Sequence, residues 1–306
     1  MSRAFDISLA FYRKTIKRFR PLHVAVHGVM TAGVIPLLER GQRFRTMPDD
    51  PFWFRLELLT NRHERATTTQ LDRLVQPGMT VLDIGAHVGY YARRWSKLVG
   101  PEGRVVAFEP HPRTFAVLEH NLGHLANVTL LPLAVAEEEG TAELYDYLMM
   151  SASGSLHYDE AMLALQKAQV SGGDIAPRIT TDFPIRTYSV RTTPVDTCLA
   201  DLGIARVDVV KMDIEGAEMS ALRGMRKTIA NSPGMVMVME YNPQALQSFG
   251  FEPQQALAEV LGMGFERVRA IAEDGTLTDL TGDDAALHRL TAQLMANMGV
   301  TNLLFA

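Results

Sequence analysis

The chain has 306 residues, enough to bury a substantial core, and its 47% apolar and 21% charged content is that of an ordinary folded protein, which argues against disorder. Its net charge of −5 conceals an asymmetry: residues 1–45 hold nine Lys or Arg against Asp6 and Glu39, so a basic arm of +7 is joined to a body of −12. An acidic body repels a phosphate backbone, which argues against nucleic acid as a partner. The lone cysteine, Cys198, excludes an internal disulfide, and with no Cys/His cluster at zinc spacing the expected setting is a reducing cytoplasm.

In chain order, residues 5–20 place Phe5, Leu9, Tyr12, Ile16 and Phe19 on one helical face and basic residues on the other. Residues 21–38 are apolar but contain His23, His27, Thr31, Gly33 and Pro36. A cleavable signal peptide does not fit, because the basic region lies too far ahead and no small-residue cleavage site stands out. A spanning helix is marginal in length and broken by Pro36. Two readings stand: a pair of helices packed on the main domain, or a basic amphipathic anchor making peripheral contact with an anionic membrane surface through residues 1–45. Residues 1–60 thus form an N-terminal basic, helical extension to a main domain over 61–306. A strap with Trp53 and Phe54 leads to a helix over 67–75, and Pro77-Gly78 turns the chain into the next element.

That element is Thr80–Tyr91, TVLDIGAHVGYY. Val81-Leu82-Asp83-Ile84 has the pattern of a buried parallel strand, and Gly85-Ala86-His87-Val88-Gly89 leads without a polar linker into a helix over 91–99. Gly85 permits a sharp turn and lets a ligand lie against bare backbone. Gly89 lets the helix start close to the strand, and free N–H groups point into the crevice. The full G-x-G-x-x-G of dinucleotide folds is missing, which disfavours a pyrophosphate. A second apolar strand, 104–108, ends in Glu109, placed to accept hydrogen bonds from both ribose hydroxyls. Ribose without pyrophosphate suggests S-adenosylmethionine.

LDIGAHVGYY, VVAFEPHP, LPLAV and VVKMDIEGAE, in that order, resemble the successive motifs of the FkbM family of S-adenosylmethionine-dependent methyltransferases over about residues 60 to 245. The chain departs from the family pattern at His87, where Asn is usual. The resemblance implies a cofactor site of Asp83, Gly85, Ala86, His87, Gly89, Tyr90, Glu109, Pro110 and Asp213. It also implies that the backbone around Leu133-Ala134 brackets the adenine and that His63 and Glu64 lie near the pocket. For those last two residues a surface helix is the alternative.

Further strands are expected over 128–135 and 141–148, and a helix over 114–122. Residues 149–186 are broken by serines and glycines around a short helix over 160–170, and read as an acceptor-covering insertion; His157 and Tyr158 are candidates to reach the acceptor, an exposed loop His with no role being the alternative. A helix over 193–202, capped by Thr193 with Pro194 at its first position, precedes a strand over 207–212 that is buried apart from Asp208 and Lys211. Strands over 235–240, 265–271 and 301–305, with helices over 253–261 and 284–298, complete an α/β fold. It is a doubly wound, mostly parallel seven-stranded sheet of the Rossmann-like class I methyltransferase type.

Asp213-Ile214-Glu215-Gly216-Ala217-Glu218 puts three carboxylates at a strand's carboxyl end, where open α/β sheets present ligands. Glu215 and Glu218 either shape the acceptor site or favour the following helix through its dipole. The expected reaction is methyl transfer to a hydroxyl, which must lose its proton to become a good nucleophile. Asp213 is the preferred base, with Glu240 and His87 as the other possibilities; His87 either takes part in the chemistry or packs against the cofactor. Asp213, Glu240 and Asn242 could instead supply oxygens to Mg²⁺. The resemblance points to a small-molecule or glycan acceptor: a sugar, a glycolipid or a secondary metabolite. The alternative function is a non-catalytic ligand-binding scaffold on the same fold at a membrane surface or partner.

Overall fold

The buried run Thr80–Ile84 (β1) pairs in parallel with Arg104–Phe108 (β2) on one side and, through Val81–Ile84, with Val209–Met212 (β7) on the other. A strand apolar on both faces demands this, because each face must be covered and each edge hydrogen-bonded. The computed structural model describes residues 12, 15, 19–146, 151, 154–157 and 185–306. The other described strands are Val128–Leu131 (β3), Ala134–Val135 (β4), Gly140–Asp146 (β5), Arg186–Thr193 (β6), Val236–Tyr241 (β8), Val268–Ile271 (β9), Leu277–Asp279 (β10) and Thr301–Phe305 (β11).

The main sheet runs β10-β9-β11-β8-β7-β1-β2-β3, parallel from β8 to β3 and antiparallel at β11, β9 and β10. The expected seven strands are joined by an eighth, β10, which returns along β9 after the turn at Gly275. The single strand expected over 128–135 is two, because Pro132 has no N–H to donate to the ladder. β3 stays at the edge of the main sheet, while β4 pairs with β6 in a second sheet of order β4-β6-β5. β6 was hidden by its loop-like, exposed composition, RTYSVRTT. Thr193 belongs to that strand, and the helix Val195–Asp201 starts one position beyond Pro194, without a side-chain cap.

Met237 and Met239 pack in the core with Leu82, Ile84, Met212 and Phe305, so the methionines fill core space. Strand order reverses between β1 and β7: the chain winds outward through β2 and β3, then returns to the other side of β1. A ligand crevice belongs at the carboxyl ends of those two strands.

The described residues fall into two units, one of residues up to His63 with Ser151 and Ile185, the other of Glu64–Asp146, 154–157 and Arg186–Ala306. In the first, Arg20–Val29, a π turn Met30–Val34 and Ile35–Gln42 follow one another without a break, and Pro21–Gln42 is a single helical run of 22 residues. Pro36 does not break it: the π turn immediately before it widens the helix where the ring would meet the carbonyl four residues back. The helix expected over residues 5–20 lies outside the described residues except at 12, 15, 19 and 20, and that over 160–170 lies wholly outside them, as does Tyr158.

Candidate active site

The turn after β1 is tied down through its own backbone amides. Gly85 and Ala86 donate to the carbonyl of Phe108 at 3.1 and 2.9 Å, Gly89 donates to Ala86, and His87 donates to Glu109 Oε2 at 2.9 Å. Those four amides are therefore not free for a ligand, contrary to expectation. The glycines are needed for packing: a Cβ on Gly85, whose φ is +85°, would lie 2.0 Å from the carbonyl oxygen of Asp213, and one on Gly89 would lie 2.6 Å from Leu122. Gly85 thus lets β7 close on β1, and Gly89 seats the helix Tyr90–Val99 against Pro112–Leu122. His87 has φ 51°, in the left-handed region that Asn and His tolerate better than most residues. The departure from the family pattern falls where backbone conformation restricts the choice.

Two acids, Glu109 and Asp83, stand beside this turn. Glu109, buried, accepts from the N–H of His87 on one oxygen and from that of His111 on the other, both at 2.9 Å, and each oxygen keeps a lone pair for a hydroxyl. Its pKa is raised by burial, against the lowering effect of those amides and of His111 and Lys211. Asp83 is fully buried; Oδ2 accepts from Ala92 N at 3.0 Å, while Oδ1 has no hydrogen-bond partner. Burial pushes its pKa up to about 7 despite Lys211 and the Ala92 amide.

Sequence reasoning missed the support behind Glu109. His111 caps Pro112–Leu122, its Nδ1 accepting from Arg113 N and Thr114 N, while its Nε2 meets Asp146 Oδ2 at 3.1 Å with both side chains buried. A ring accepting at Nδ1 carries its proton on Nε2 and donates it to Asp146. This locks the Glu109-Pro110-His111 bend from the end of β5. The usable signal was a polar residue directly before a helix-starting proline in FEPHP.

Across the crevice, Asp213 follows β7 and Glu240 lies in β8. Their carboxylate oxygens and one of Glu64 lie within 4.8 Å of one another. Glu64, with φ 41°, also accepts from Tyr91 OH at 2.7 Å, so it belongs to the site and is not merely a surface residue. Lys211 is buried, where an exposed residue was expected in β7; its Nζ is 2.9 Å from Asp213 Oδ2 and 5.1 Å from the centre of the Tyr91 ring. Burial lowers the pKa of this ammonium, but Asp213, Asp83 and Glu64 outweigh burial and hold it charged. A charge inside an apolar strand flanked by acids was the sequence signal.

One ammonium does not neutralise so many acids. Burial, then Asp213, Glu215 and Glu218, hold the pKa of Glu240 well above the carboxylate range. Glu215, left-handed at φ 55°, is pushed up to about 8 by burial and by Asp213 and Glu218. Glu218 is turned back into its own loop and accepts from Ile214 N and Gly216 N at 3.2 Å; it is buried, with a pKa raised to about 7 by burial. It braces the turn at the start of the helix Glu218–Arg223, where the second of its two expected readings put it. Asn242 is likewise taken: its Oδ1 accepts from Ala245 N at 3.1 Å and caps Pro243–Ser248, so it does not join the acids as the expected metal ligand. His157 lies beside this turn, its ring 5.3 Å from Phe249, with Ser155 Oγ donating to the Glu215 carbonyl at 3.4 Å. Leu133 and Ala134 are buried where β3 gives way to β4, and Tyr90 is buried at the start of its helix.

Residues 83–267 match the model of the methyltransferase FkbM domain. The chain belongs to the FkbM methyltransferase family. Relatives include the 2-O-methyltransferase NoeI of Sinorhizobium fredii, 27% identical over 61% of this chain and 73% of that protein. Methyltransferase sdnD of Sordaria araneosa is 28% identical over 62% and 75%, and the hexuronic acid methyltransferase AglP of Haloferax volcanii is 24% identical over 48% and 50%. Among solved structures, a fibrillarin of Aeropyrum pernix with natively bound S-adenosylmethionine aligns at TM-score 0.42 and 11% identity, over 79% of this chain and 74% of that one. This FkbM protein has the class I fold, and S-adenosylmethionine is its cofactor. The residues fit that group: Glu109 presents two oxygens to a diol, and the orphaned Oδ1 of Asp83 calls for a donor from outside the chain.

Proposed function

We propose that the protein methylates a hydroxyl group of a sugar, free or in a glycolipid or secondary metabolite, with Glu240 as the proton acceptor. The observation that carries this reading is the crowding of Glu240 by Asp213, Glu215 and Glu218 in a half-buried site across the crevice from Glu109 and Asp83. An alcohol is a poor nucleophile until its proton leaves, and a carboxylate of raised proton affinity removes that proton far better than an ordinary one. Bound S-adenosylmethionine would supply a methyl group on an electrophilic sulfonium, held through Glu109, Asp83 and the turn over residues 85–89.

The chain's own residues do the rest. Glu240, once ionised, takes the hydroxyl proton onto its carboxylate. Asp213 is held as an anion by Lys211 and accepts a hydrogen bond from a neighbouring hydroxyl, which aligns the acceptor. Asp213, preferred as base from the sequence, is the weaker base of the two because the ammonium beside it stabilises its charge. We assign no metal to the site: Lys211 supplies the positive charge there and Asn242 is occupied as a cap. The names of two relatives, a 2-O-methyltransferase and a hexuronic acid methyltransferase, favour a sugar acceptor.

The first test is calorimetric binding of S-adenosylhomocysteine to the wild type and to Glu109→Ala. Binding that is clearly weakened in the variant is the expected result. No binding by the wild type would leave a non-catalytic scaffold as the better account. Methyl transfer to a panel of hydroxyl-bearing and amine-bearing sugars then tests the acceptor atom, with transfer only to amines as the overturning result.

A further inference from the structure

The helical run Pro21–Gln42 carries its polarity in the opposite sense to a helix on a water-soluble surface. Its polar side faces protein. His23 Nδ1 lies 2.6 Å from Tyr12 OH, the His27 ring is 5.9 Å from that of Phe52, and Thr31 Oγ1 is satisfied within the helix by the His27 carbonyl at 2.7 Å. Its apolar side faces outward: Leu22, Val24, Gly28, Val29, Ala32 and Leu37 are exposed, Val29 by 64% and Leu37 by 68%. An amphipathic helix in water buries its apolar stripe and solvates the other face. Here that arrangement is reversed, so the outward stripe is shaped for an apolar surrounding.

The charges at the two ends say which surrounding. No acid occurs between Asp6 and Glu39, and Arg13, Lys14, Lys17, Arg18 and Arg20 lie directly before the stripe. At the far end Arg40, Arg43 and Arg45 are exposed, while Glu39 is engaged by Arg55 at 3.0 Å. An apolar face about 22 Å long, bounded at both ends by cations, matches a bilayer surface whose headgroups are anionic. A second copy of the chain would bring one +7 arm against another, which opposes pairing. A spanning orientation would strip His23 and His27 from the Tyr12 and Phe52 rings and place them in hydrocarbon.

We infer that Pro21–Gln42 lies in the plane of an anionic membrane surface, its Leu22–Leu37 stripe in the acyl boundary and its basic ends among the headgroups. The inference is independent of the methyltransferase reading. The test is flotation of the full-length protein with phosphatidylcholine vesicles, with and without about one third phosphatidylglycerol, at low and high salt. The expected result is binding to the anionic vesicles, weakened by salt. Val29→Asp with Leu37→Asp should cut it by about tenfold or more, since both side chains would leave the apolar phase. Arg40→Glu should weaken it to a smaller, salt-sensitive degree. Both variants change exposed residues, so their circular dichroism and S-adenosylhomocysteine binding should match the wild type. Wild-type protein that stays with the buffer fraction, or a Val29→Asp/Leu37→Asp protein that floats as the wild type does, overturns the inference. So does light scattering that shows a dimer split by those same substitutions, because the stripe would then be a self-association face.

Discussion

The two turns that meet at the reversal of strand order, residues 85–89 after β1 and 213–218 after β7, share a backbone device and differ in how they treat charge. Each contains one left-handed residue that is not glycine, His87 at φ 51° and Glu215 at φ 55°. At the first turn a single acid, Glu109, is met by two backbone N–H donors, and fixed dipoles of that kind hold a carboxylate in place. At the second turn Asp213, Glu215, Glu240 and Glu64 share one ammonium, and repulsion from neighbouring acids adds to burial in raising the proton affinity of Glu215 and Glu240. On the function proposed above, one side holds a neutral diol and the other gains and loses a proton.

The largest effect should separate the two sides. Glu240→Gln keeps the shape of the side chain and removes its basicity. Methyl transfer to a sugar acceptor, followed with labelled cofactor, should fall by roughly 10²- to 10⁴-fold, while S-adenosylhomocysteine affinity changes little. Equal rates in the variant and the wild type would remove Glu240 from the chemistry. Over the neutral range the wild-type rate should rise with pH, because a base whose pKa is raised ionises only as pH climbs.

Glu109→Ala should do the reverse. Losing two charge-assisted hydrogen bonds to ribose should weaken S-adenosylhomocysteine by roughly 10- to 100-fold in a calorimetric titration. Unchanged affinity would mean that the cofactor is held elsewhere.

These two residues also mark how far the sequence could be read. Glu109 was legible because a glycine turn and an acid at the tip of the next strand are local features whose spacing survives folding. The same holds for the order of β1, β2, β7, β8 and β11, all of them apolar runs. The amides of the first turn were misread because a free N–H and one bonded to the carbonyl of Phe108 look alike in sequence. Lys211 was not assigned to the site, and Glu64 was placed near it by the family resemblance alone, because their partners come from β1, β7, β8 and the helix Tyr90–Val99, and such meetings arise only when the sheet winds. Asn242 was assigned a ligand role its side chain does not fill, and Glu218 was left between two readings, since an acid or an amide near a helix start serves a turn as readily as a ligand. β6 stayed hidden because a mostly exposed strand lacks the apolar alternation that reveals one.

A third effect is on stability. Glu215, Glu218 and Asp83 have folded-state pKa values of about 8, 7 and 7, above those of an unfolded chain. Groups raised in this way contribute stability that is complete below the unfolded value and is lost as pH rises through the folded one. The melting temperature of the ligand-free protein should therefore fall by several degrees, about 5 °C, between pH 6 and 9. Glu215→Gln, which never ionises, should flatten part of that fall. A flat wild-type profile would show that the acids at the second turn do not repel one another in the way their packing implies.

His87→Asn is a smaller perturbation, made at the first turn. Asn accepts the left-handed backbone at least as well as His, and the N–H that donates to Glu109 is retained. If His87 serves only the turn, the rate should stay within about threefold of the wild type, since no proton-transfer group is lost. A drop of the size expected for Glu240→Gln would place the imidazole in the chemistry.

The smallest expected effect is that of a chelator. Glu64, Asp213 and Glu240 bring their oxygens close enough for a hard cation, yet Lys211 Nζ already sits 2.9 Å from Asp213 and is kept charged by the acids around it. A divalent ion would have to share Asp213 with that ammonium at close range and against like-charge repulsion. Nor does Asn242, committed to the Ala245 amide, offer the neutral oxygen expected of it. Treatment with EDTA should leave the initial rate unchanged, and added Mg²⁺ should not raise it. A rate that collapses with EDTA and returns with Mg²⁺ would mean that the ammonium yields its place when the acceptor arrives, and the second side of the crevice would then be a metal site and not a proton-accepting one.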